Sequence, residues 1–192
     1  MLNNFFKSNT RRIIINVDLI LNIIREKNSF LSKNIDHVKI EYIDDFKARF
    51  SGVSDTIAFF DAANFIVYYG DELCKDYSVD NQAFIIANEI MHYYVGINVN
   101  RKQFHNCDGE LLNFVEDVQI NQLLLAWGGI PPKEVVLISD TLDYGYIELY
   151  NILYSHSGEI RHPNENFDWA KNVTLSELLK KSVVSEKIPP KL

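Results

Sequence analysis

The five residues Asn88-Glu89-Ile90-Met91-His92 have the types and the spacing that hydrolytic chemistry requires. Residues 88 and 92 are four apart, so on a helix their side chains lie on one face. In the motif H-E-x-x-H, two histidines at this spacing bind Zn²⁺, and the glutamate acts as general base on the metal-bound water. Here Asn88 replaces the first histidine. The pattern indicates either a degenerate zinc site or a buried Glu–His pair without metal.

The motif lies in a segment whose residues predict a buried helix. Residues 81–96 are apolar on nearly every helical face, and Asp80 is the predicted N-cap. A charged glutamate and a histidine are costly inside such a helix unless they are paired or bind a metal. The alternative is that Glu89 turns to solvent at the edge of the helix.

A second apolar helix is predicted over Glu110–Trp127, and it ends at Gly128-Gly129. Three of its polar residues recur at every fourth position and form one stripe: Asn113, Asp117 and Asn121. The stripe faces either a polar site or solvent, and the sequence favours neither. Because both helices carry polar positions, we predict that residues 81–96 and 110–126 pack together, with His92 and Asp117 facing each other.

Hydrophobic periodicity predicts further elements around these two helices. Two short apolar runs flank a turn, which is typical of a β-hairpin. The predicted elements are a helix over 10–28 capped by Thr10, a connection over 29–34, a strand at the start of 37–50, a hairpin of 56–60 and 65–69, a helix from Tyr146 to about His156, and a short helix over 175–181 capped by Thr174.

The composition is that of a globular protein. Of 192 residues, 47% are apolar and 23% are charged, which excludes a chain disordered along its whole length. The net charge of −7 argues against a nucleic-acid-binding domain. Polar residues interrupt the apolar run at 13–24, which predicts an amphipathic helix rather than a signal peptide or membrane span. Cys74 and Cys107 are too few for a disulfide framework, so we expect a cytoplasmic protein.

Three stretches together resemble a known family. The hairpin ending in Phe65–Tyr69 precedes the motif helix, residues 113–121 read Asn-Phe-Val-Glu-Asp-Val-Gln-Ile-Asn, and residues 146–153 read Tyr-Ile-Glu-Leu-Tyr-Asn-Ile-Leu. In this order they are similar to the zincin-like metallopeptidase domain found beside, or fused to, von Willebrand A-like domains in bacteria and phages. The resemblance covers roughly residues 50–155. It implies an α+β fold in which a small antiparallel or mixed sheet, with its hairpin, packs on the buried motif helix and a second core helix.

The resemblance also implies roles for individual residues. His92 and Asp117 would be zinc ligands, Asn88 would stand at the position of the first ligand, and Glu89 would be the general base. An amide oxygen is a weak zinc donor compared with imidazole. Zn²⁺ is therefore expected to bind weakly or not at all.

Departures from the family pattern leave three explanations open. The chain is a degenerate member that no longer binds metal, or another ligand completes the site, or the histidine was replaced by design at position 88. His105 and Cys107 are the candidate replacement ligands, although an ordinary polar loop explains them as well. The family often carries a further histidine and an arginine after the motif helix. Here Asn98 and Arg101 lie in that region, so only the arginine is kept.

These observations predict a domain organisation and a function. Residues 1–34 would form an N-terminal helical segment, 35–158 a zincin-like core, and 159–192 a polar extension with a short helix. The predicted function is that of a metallopeptidase-type domain with an impaired zinc site, catalytically weak or inactive, which binds a protein or peptide and neither nucleic acid nor membrane. The alternatives are an active zinc-dependent peptide hydrolase with Glu89 as general base, and an unrelated α+β structural or interaction protein.

Overall fold

The computed structural model describes residues 14–49, 57–98, 109–133, 135, 137–157 and 173–174. In this part of the chain the fold is mixed α+β, with a small three-stranded sheet and packed helices. No helix within those ranges is long and apolar enough to cross a membrane. The elements in chain order are α1 (Val17–Lys27), α2 (Ser29–Ser32), a 3-10 helix (Ile35–His37), β1 (Lys39–Tyr42), α3 (Phe46–Arg49), β2 (Ala58–Asp61), β3 (Ile66–Tyr69), α4 (Asp71–Asp76), α5 (Val79–Asn98), α6 (Gly109–Ala126), β4 (Ile138–Ser139), α7 (Tyr146–Ser157) and β5 (Val173–Thr174).

The three-stranded sheet presents one face to the core. β2 and β3 form an antiparallel hairpin, and β1 pairs in parallel with β3, so the strand order is β1-β3-β2. Side chains alternate between the two faces of a strand, so Phe60 and Val67, which are paired across the hairpin, are both buried. Asp61 closes the turn, because its carboxylate accepts from the backbone N–H groups of Ala63 and Asn64. The predicted hairpin is confirmed.

Helix α5, which carries the motif, lies at the centre of the fold. It packs against α1, the β2–β3 hairpin and α6. The helix begins after Ser78, whose hydroxyl oxygen accepts from the backbone N–H of Asn81 at 3.3 Å. That bond satisfies one of the N–H groups that a first helical turn leaves free. The prediction of Asp80 as the cap is wrong, and Asp80 instead forms an ion pair with Lys27 of α1.

Helix α6 ends where the sequence predicts. The backbone N–H of Gly128 donates to the carbonyl of Leu125 and that of Gly129 to the carbonyl of Leu124, both at 2.8 Å. These two bonds form a Schellman motif. Gly128 adopts a φ of +82°, a conformation that is strained for a residue with a side chain. The glycine pair therefore ends the helix as expected.

The structure moves the start of the first helix. Residues 14–16 are not helical, and α1 begins at Val17. The Asn16 side chain accepts from the backbone N–H of Leu19 at 3.1 Å and so caps the helix. The prediction that residues 14–16 are helical is wrong. The capping hydrogen bond of Asn16 sets the start of the helix, although the apolar periodicity continues before it. Thr10, the predicted cap, lies outside the described residues.

Two further predictions are corrected at the chain segments that join the main elements. Residues predicted as a connection contain the short helix α2, which begins because the Asn28 side-chain oxygen accepts from the backbone N–H of Leu31 at 2.8 Å. Thr174, a predicted helix cap, belongs to β5, which pairs in parallel with β4. The short helix predicted over 175–181 lies outside the described residues.

Buried apolar side chains form two clusters, and α6 contributes to both. The larger cluster joins α1, the sheet, α5 and the end of α6, and the smaller one joins the first half of α6 with β4 and α7. Ile20 of α1 and Ile90 of α5 are fully buried in the larger cluster, and Val115 of α6 is fully buried in the smaller one. The predicted division of the chain into three segments stays a prediction.

Candidate functional site

Polar side chains meet where α5 crosses α6. His92 of α5 contacts two adjacent carboxylates of α6. Its Nδ1 lies 3.2 Å from Oε2 of Glu116, and its Nε2 lies 3.0 Å from Oδ1 of Asp117. The prediction that His92 and Asp117 face each other is confirmed. Their role as metal ligands stays a prediction.

A second polar pair lies one helical turn along the same contact. The Asn88 side-chain N–H donates to Oδ1 of Asn121 at 3.0 Å. Because 88 and 92 on α5 are one turn apart, as are 121 and 117 on α6, the two pairs stack along antiparallel helices. Asn113, one more turn along α6, is exposed and donates to Oδ2 of Asp117 at 3.1 Å. The polar stripe of α6 therefore faces α5 and reaches the surface at its Asn113 end.

Glu116 is the site residue that the sequence prediction missed. It is only 3% exposed, yet it lies outside the stripe at four-residue spacing. Its neighbours Phe114, Val115 and Val118 are all buried apolar residues. A charged residue inside such a segment needs a partner. Glu89 was singled out because it is a charged residue within an apolar helix, and the same argument would have found Glu116.

The two carboxylates of α6 fix the charge of His92. Burial by itself lowers the pKa of a histidine, but the hydrogen bonds to Asp117 and Glu116 outweigh it and raise the pKa of His92 to about 10. His92 is therefore an imidazolium at neutral pH. Each of its ring N–H groups donates to a carboxylate.

Glu89 lies on α5 beside this group and close to strand β2. Burial raises the pKa of Glu89 to about 7. The positive charge of His92 opposes this rise in pKa, and the negative charge of Asp117 adds to it. The backbone N–H of Phe60 donates to the carboxylate and also opposes the rise. A pKa near 7 suits a general base, and buried ion-pair networks produce the same shift without catalysis.

An aromatic cluster fixes the hairpin to the motif helix. The ring of Tyr93 packs edge-to-face against Phe60 and Phe65, with centroids 5.8 and 5.2 Å apart. The backbone N–H of Phe60 also donates a hydrogen bond to the carboxylate of Glu89. Strand β2 therefore contacts α5 through both its side chains and its main chain, and this double contact positions Glu89.

The structure brings together two of the predicted zinc ligands, His92 and Asp117. A catalytic zinc site has three protein ligands and one position for water. His92 and Asp117 supply two donors, and the side-chain nitrogen of Asn88 points to Asn121. Across the described ranges, no group of three or more His, Cys, Asp and Glu side chains is placed to hold a metal ion.

The candidate replacement ligands His105 and Cys107 lie outside the described residues, as does Arg101. Asn98 ends α5, and its side chain is not among those described. A ligand from this segment therefore stays a prediction.

Comparison with known proteins assigns no family. No family model, no curated protein and no solved structure matches the chain. The resemblance to zincin-like metallopeptidases therefore rests on the residues quoted above and stays a prediction. Its coarser part agrees with the fold, because the chain is mixed α+β and its hairpin packs on the motif helix.

Proposed function

We propose that this chain is a zincin-like domain with an impaired zinc site, that it hydrolyses peptides weakly or not at all, and that it acts by binding a protein or peptide. The environment of His92 carries the proposal, since both ring nitrogens contact carboxylates, at 3.2 and 3.0 Å. A metal ligand must be a neutral imidazole with a free lone pair. A ring that donates from both nitrogens has none.

In this proposal the imidazolium takes the structural place of a metal ion. Glu116 and Asp117 are neighbours in the chain, and a buried carboxylate such as that of Glu116, with a second carboxylate beside it, needs a positive partner. His92 supplies that charge. The neutral pair of Asn88 and Asn121 closes the adjoining turn with a hydrogen bond of 3.0 Å. The helices are then held by the chain's own groups, and the domain keeps its shape for binding.

Zinc-dependent thermal stability tests the proposal in three proteins: the wild type, Asn88→His, and Asn88→His with Asp117→Ala. Zinc should leave the melting temperature of the wild type unchanged. Asn88→His places two imidazoles one turn apart beside Asp117, and once zinc has displaced a proton from His92 they form the ligand set of a catalytic zinc site. Zinc at a hundredfold excess over its dissociation constant stabilises a fold by about 2.7 kcal/mol. For a chain of this size that is roughly 5–10 °C.

The double variant is the matched control and should lose most of that gain. A tightly bound, stoichiometric zinc in the wild type, measured by elemental analysis after dialysis without chelator, would contradict the proposal. It would mean that Asn88 is no handicap, or that a residue such as His105 completes the ligand shell. If Asn88→His shows no response to zinc, the idea of an ancestral zinc site is wrong, and Glu89 and His92 are structural residues.

One observation favours a second candidate, a zinc-dependent peptide hydrolase. A histidine that binds metal commonly donates its other ring N–H to a carboxylate, and Glu116 has this relation to Nδ1 of His92. Glu89 is then the carboxylate available as general base. Peptide hydrolysis by the wild type that is lost in Glu89→Gln, without a fall in melting temperature, would favour this candidate over the first.

A further inference from the structure

Strand β1 forms one edge of the three-stranded sheet, and β2 forms the other. In the parallel pair of β1 with β3, the backbone N–H of Lys39 donates to the carbonyl of Phe65, and that of Ile43 donates to the carbonyl of Tyr69, both at 2.9 Å. Main-chain groups of successive residues in a strand point to alternate sides. The backbone N–H and C=O of Ile40, the residue after Lys39, therefore point away from β3 and towards the edge of the sheet.

Ile40 thus offers a hydrogen-bond donor and an acceptor at this edge. Within the described residues, no hydrogen bond is made to either of these main-chain groups. The Ile40 side chain packs against the larger apolar cluster, which fixes the strand while its main chain faces outwards. An edge strand with such groups is a template on which another strand can pair.

The side chains beside Ile40 decide which strand fits this edge. Lys39 and Glu41 are exposed, and because they are two residues apart they extend from the same face of β1. Neither forms an ion pair with another described residue. A lysine on an edge strand usually discourages pairing. Here an acidic residue at the equivalent position on the other side of Ile40 balances it.

The sequence Lys39-Ile40-Glu41 is complementary to itself when one copy is reversed. In an antiparallel pair of strands centred on Ile40, the lysine of each strand lies directly opposite the glutamate of the other. Opposite charges at such positions stabilise a strand pair, and like charges destabilise it. A parallel pair in the same register would place lysine opposite lysine and glutamate opposite glutamate. The charges therefore favour a second copy of the chain in the antiparallel orientation.

We infer that two copies of this chain associate through β1, antiparallel about a two-fold axis at Ile40, so that their sheets join into one. The N–H and C=O of Ile40 in each copy exchange hydrogen bonds with those of the other copy. Because β1 has only four residues, the contact is small and the association weak, with an expected dissociation constant of about 0.1 mM.

This surface is independent of the site around His92. The edge at β1 lies across the sheet from β2, the strand that contacts α5, and association there needs no zinc. The inference therefore goes beyond the function proposed above, and its failure would leave that function untouched.

Sedimentation velocity of the full-length chain from about 10 µM to about 1 mM tests the inference, at low salt because salt screens exposed charges. The wild type should pass from monomer to dimer over this range. Lys39→Glu and Glu41→Lys each place like charges opposite each other, and each should weaken association at least about tenfold. An equimolar mixture of these two variants restores both opposite-charge pairs between unlike copies, so mixed dimers should form about as well as the wild-type dimer.

Two further variants are the controls. Lys39→Glu combined with Glu41→Lys exchanges the two charges without altering the net charge, and it should associate as the wild type does. Ile40→Pro removes the outward N–H, which β3 does not use, and it should abolish association. Melting curves establish that each variant is folded, and the charge variants decide the question if Ile40→Pro does not fold. A wild type that stays monomeric at about 1 mM, equal association in Lys39→Glu, or the absence of mixed dimers would overturn the inference.

Discussion

Helix α5 makes two contacts of opposite character. Towards α6 it presents Asn88 and His92, and each is hydrogen-bonded to a polar side chain of the facing helix. Towards α1 it presents Ala83 and Ala87, and the ion pair of Lys27 with Asp80 lies at the partly exposed edge of this contact. The first contact contains buried polar pairs, whereas the second is mainly buried apolar surface.

This difference determines how each contact should respond to change. Hydrogen-bonded and charged pairs depend on the presence of one particular partner and on its protonation state. Apolar contacts depend on the area and volume that they bury and have no charge to titrate. Stability measurements that vary one side chain and the pH can therefore separate the two contacts.

The largest effect is expected from removing the cation between the carboxylates of α6. His92→Ala takes away the positive partner of Glu116 and Asp117 while Glu116 stays buried. Breaking a buried ion pair by removing one partner costs about 3–5 kcal/mol. Urea unfolding at pH 7 measures the loss.

The control for this prediction is the double variant His92→Ala with Glu116→Gln. Because it removes a buried charge as well as its partner, it should recover a large part of the lost stability. A loss below about 1 kcal/mol in His92→Ala alone would show that the ion pair does not hold the two helices together.

A similar but somewhat smaller loss is expected on the apolar side. Ile20 of α1 is fully buried in the core that it shares with α5. Truncating a buried isoleucine to alanine costs about 2–5 kcal/mol, and we expect about 3 for Ile20→Ala. The loss should be equal at pH 5 and pH 8, whereas that of His92→Ala should change with pH. A pH-dependent loss in Ile20→Ala would show that the two contacts of α5 are coupled.

The sequence predicted those parts of the fold whose signals are local. The hairpin follows from two alternating runs, and the end of α6 follows from Gly128, whose φ of +82° suits glycine. The start of α5 was missed because Ser78 and Asp80 are both good capping residues, only two positions apart. Lys27 of another helix pairs with Asp80 and leaves the cap to Ser78. That choice depends on tertiary contacts.

The same distinction separates the parts of the candidate site. That His92 and Asp117 face each other follows from the spacing of the polar residues along each helix, which the sequence shows directly. Whether Glu116 also reaches His92 depends on the rotation of α6 about its axis, which is set by packing and has no local signal. The pairing of Asn88 with Asn121 depends on the same rotation. Likewise, β4 and β5 are too short to be seen in a sequence, and they pair across a long stretch of chain.

A pH-dependent effect is expected from Glu89, whose pKa is raised by burial to about 7. A raised pKa means that the folded state holds the proton more tightly than the unfolded state does. Its contribution to stability is complete below pH 4.5, the ordinary pKa, and is lost as pH rises through about 7. Glu89→Gln mimics the protonated group. It should match the wild type near pH 4.5 and be more stable by roughly 2–3 kcal/mol at pH 8.

Urea unfolding of both proteins across this pH range measures the difference. Glutamine keeps an oxygen that accepts from the backbone N–H of Phe60, so the comparison changes the charge and little else. A constant difference between the two proteins from pH 4.5 to 8 would mean that Glu89 titrates normally in the fold. The polar contact of α5 would then owe its pH dependence to His92 and the two carboxylates that it contacts.

The smallest effect concerns the neutral pair of the α5–α6 contact. A double-mutant cycle of Asn88→Ala and Asn121→Ala isolates the hydrogen bond between them, and we expect a coupling free energy of about 1 kcal/mol. Asn113→Ala with Asp117→Ala is the matched cycle at the exposed end of the stripe, where the coupling should be below about 0.5 kcal/mol because water competes for both groups. Equal couplings at the two ends would show that burial does not strengthen this row of pairs. The polar contact would then depend on its ion pair alone, and replacing Asn88 by histidine would cost the fold little.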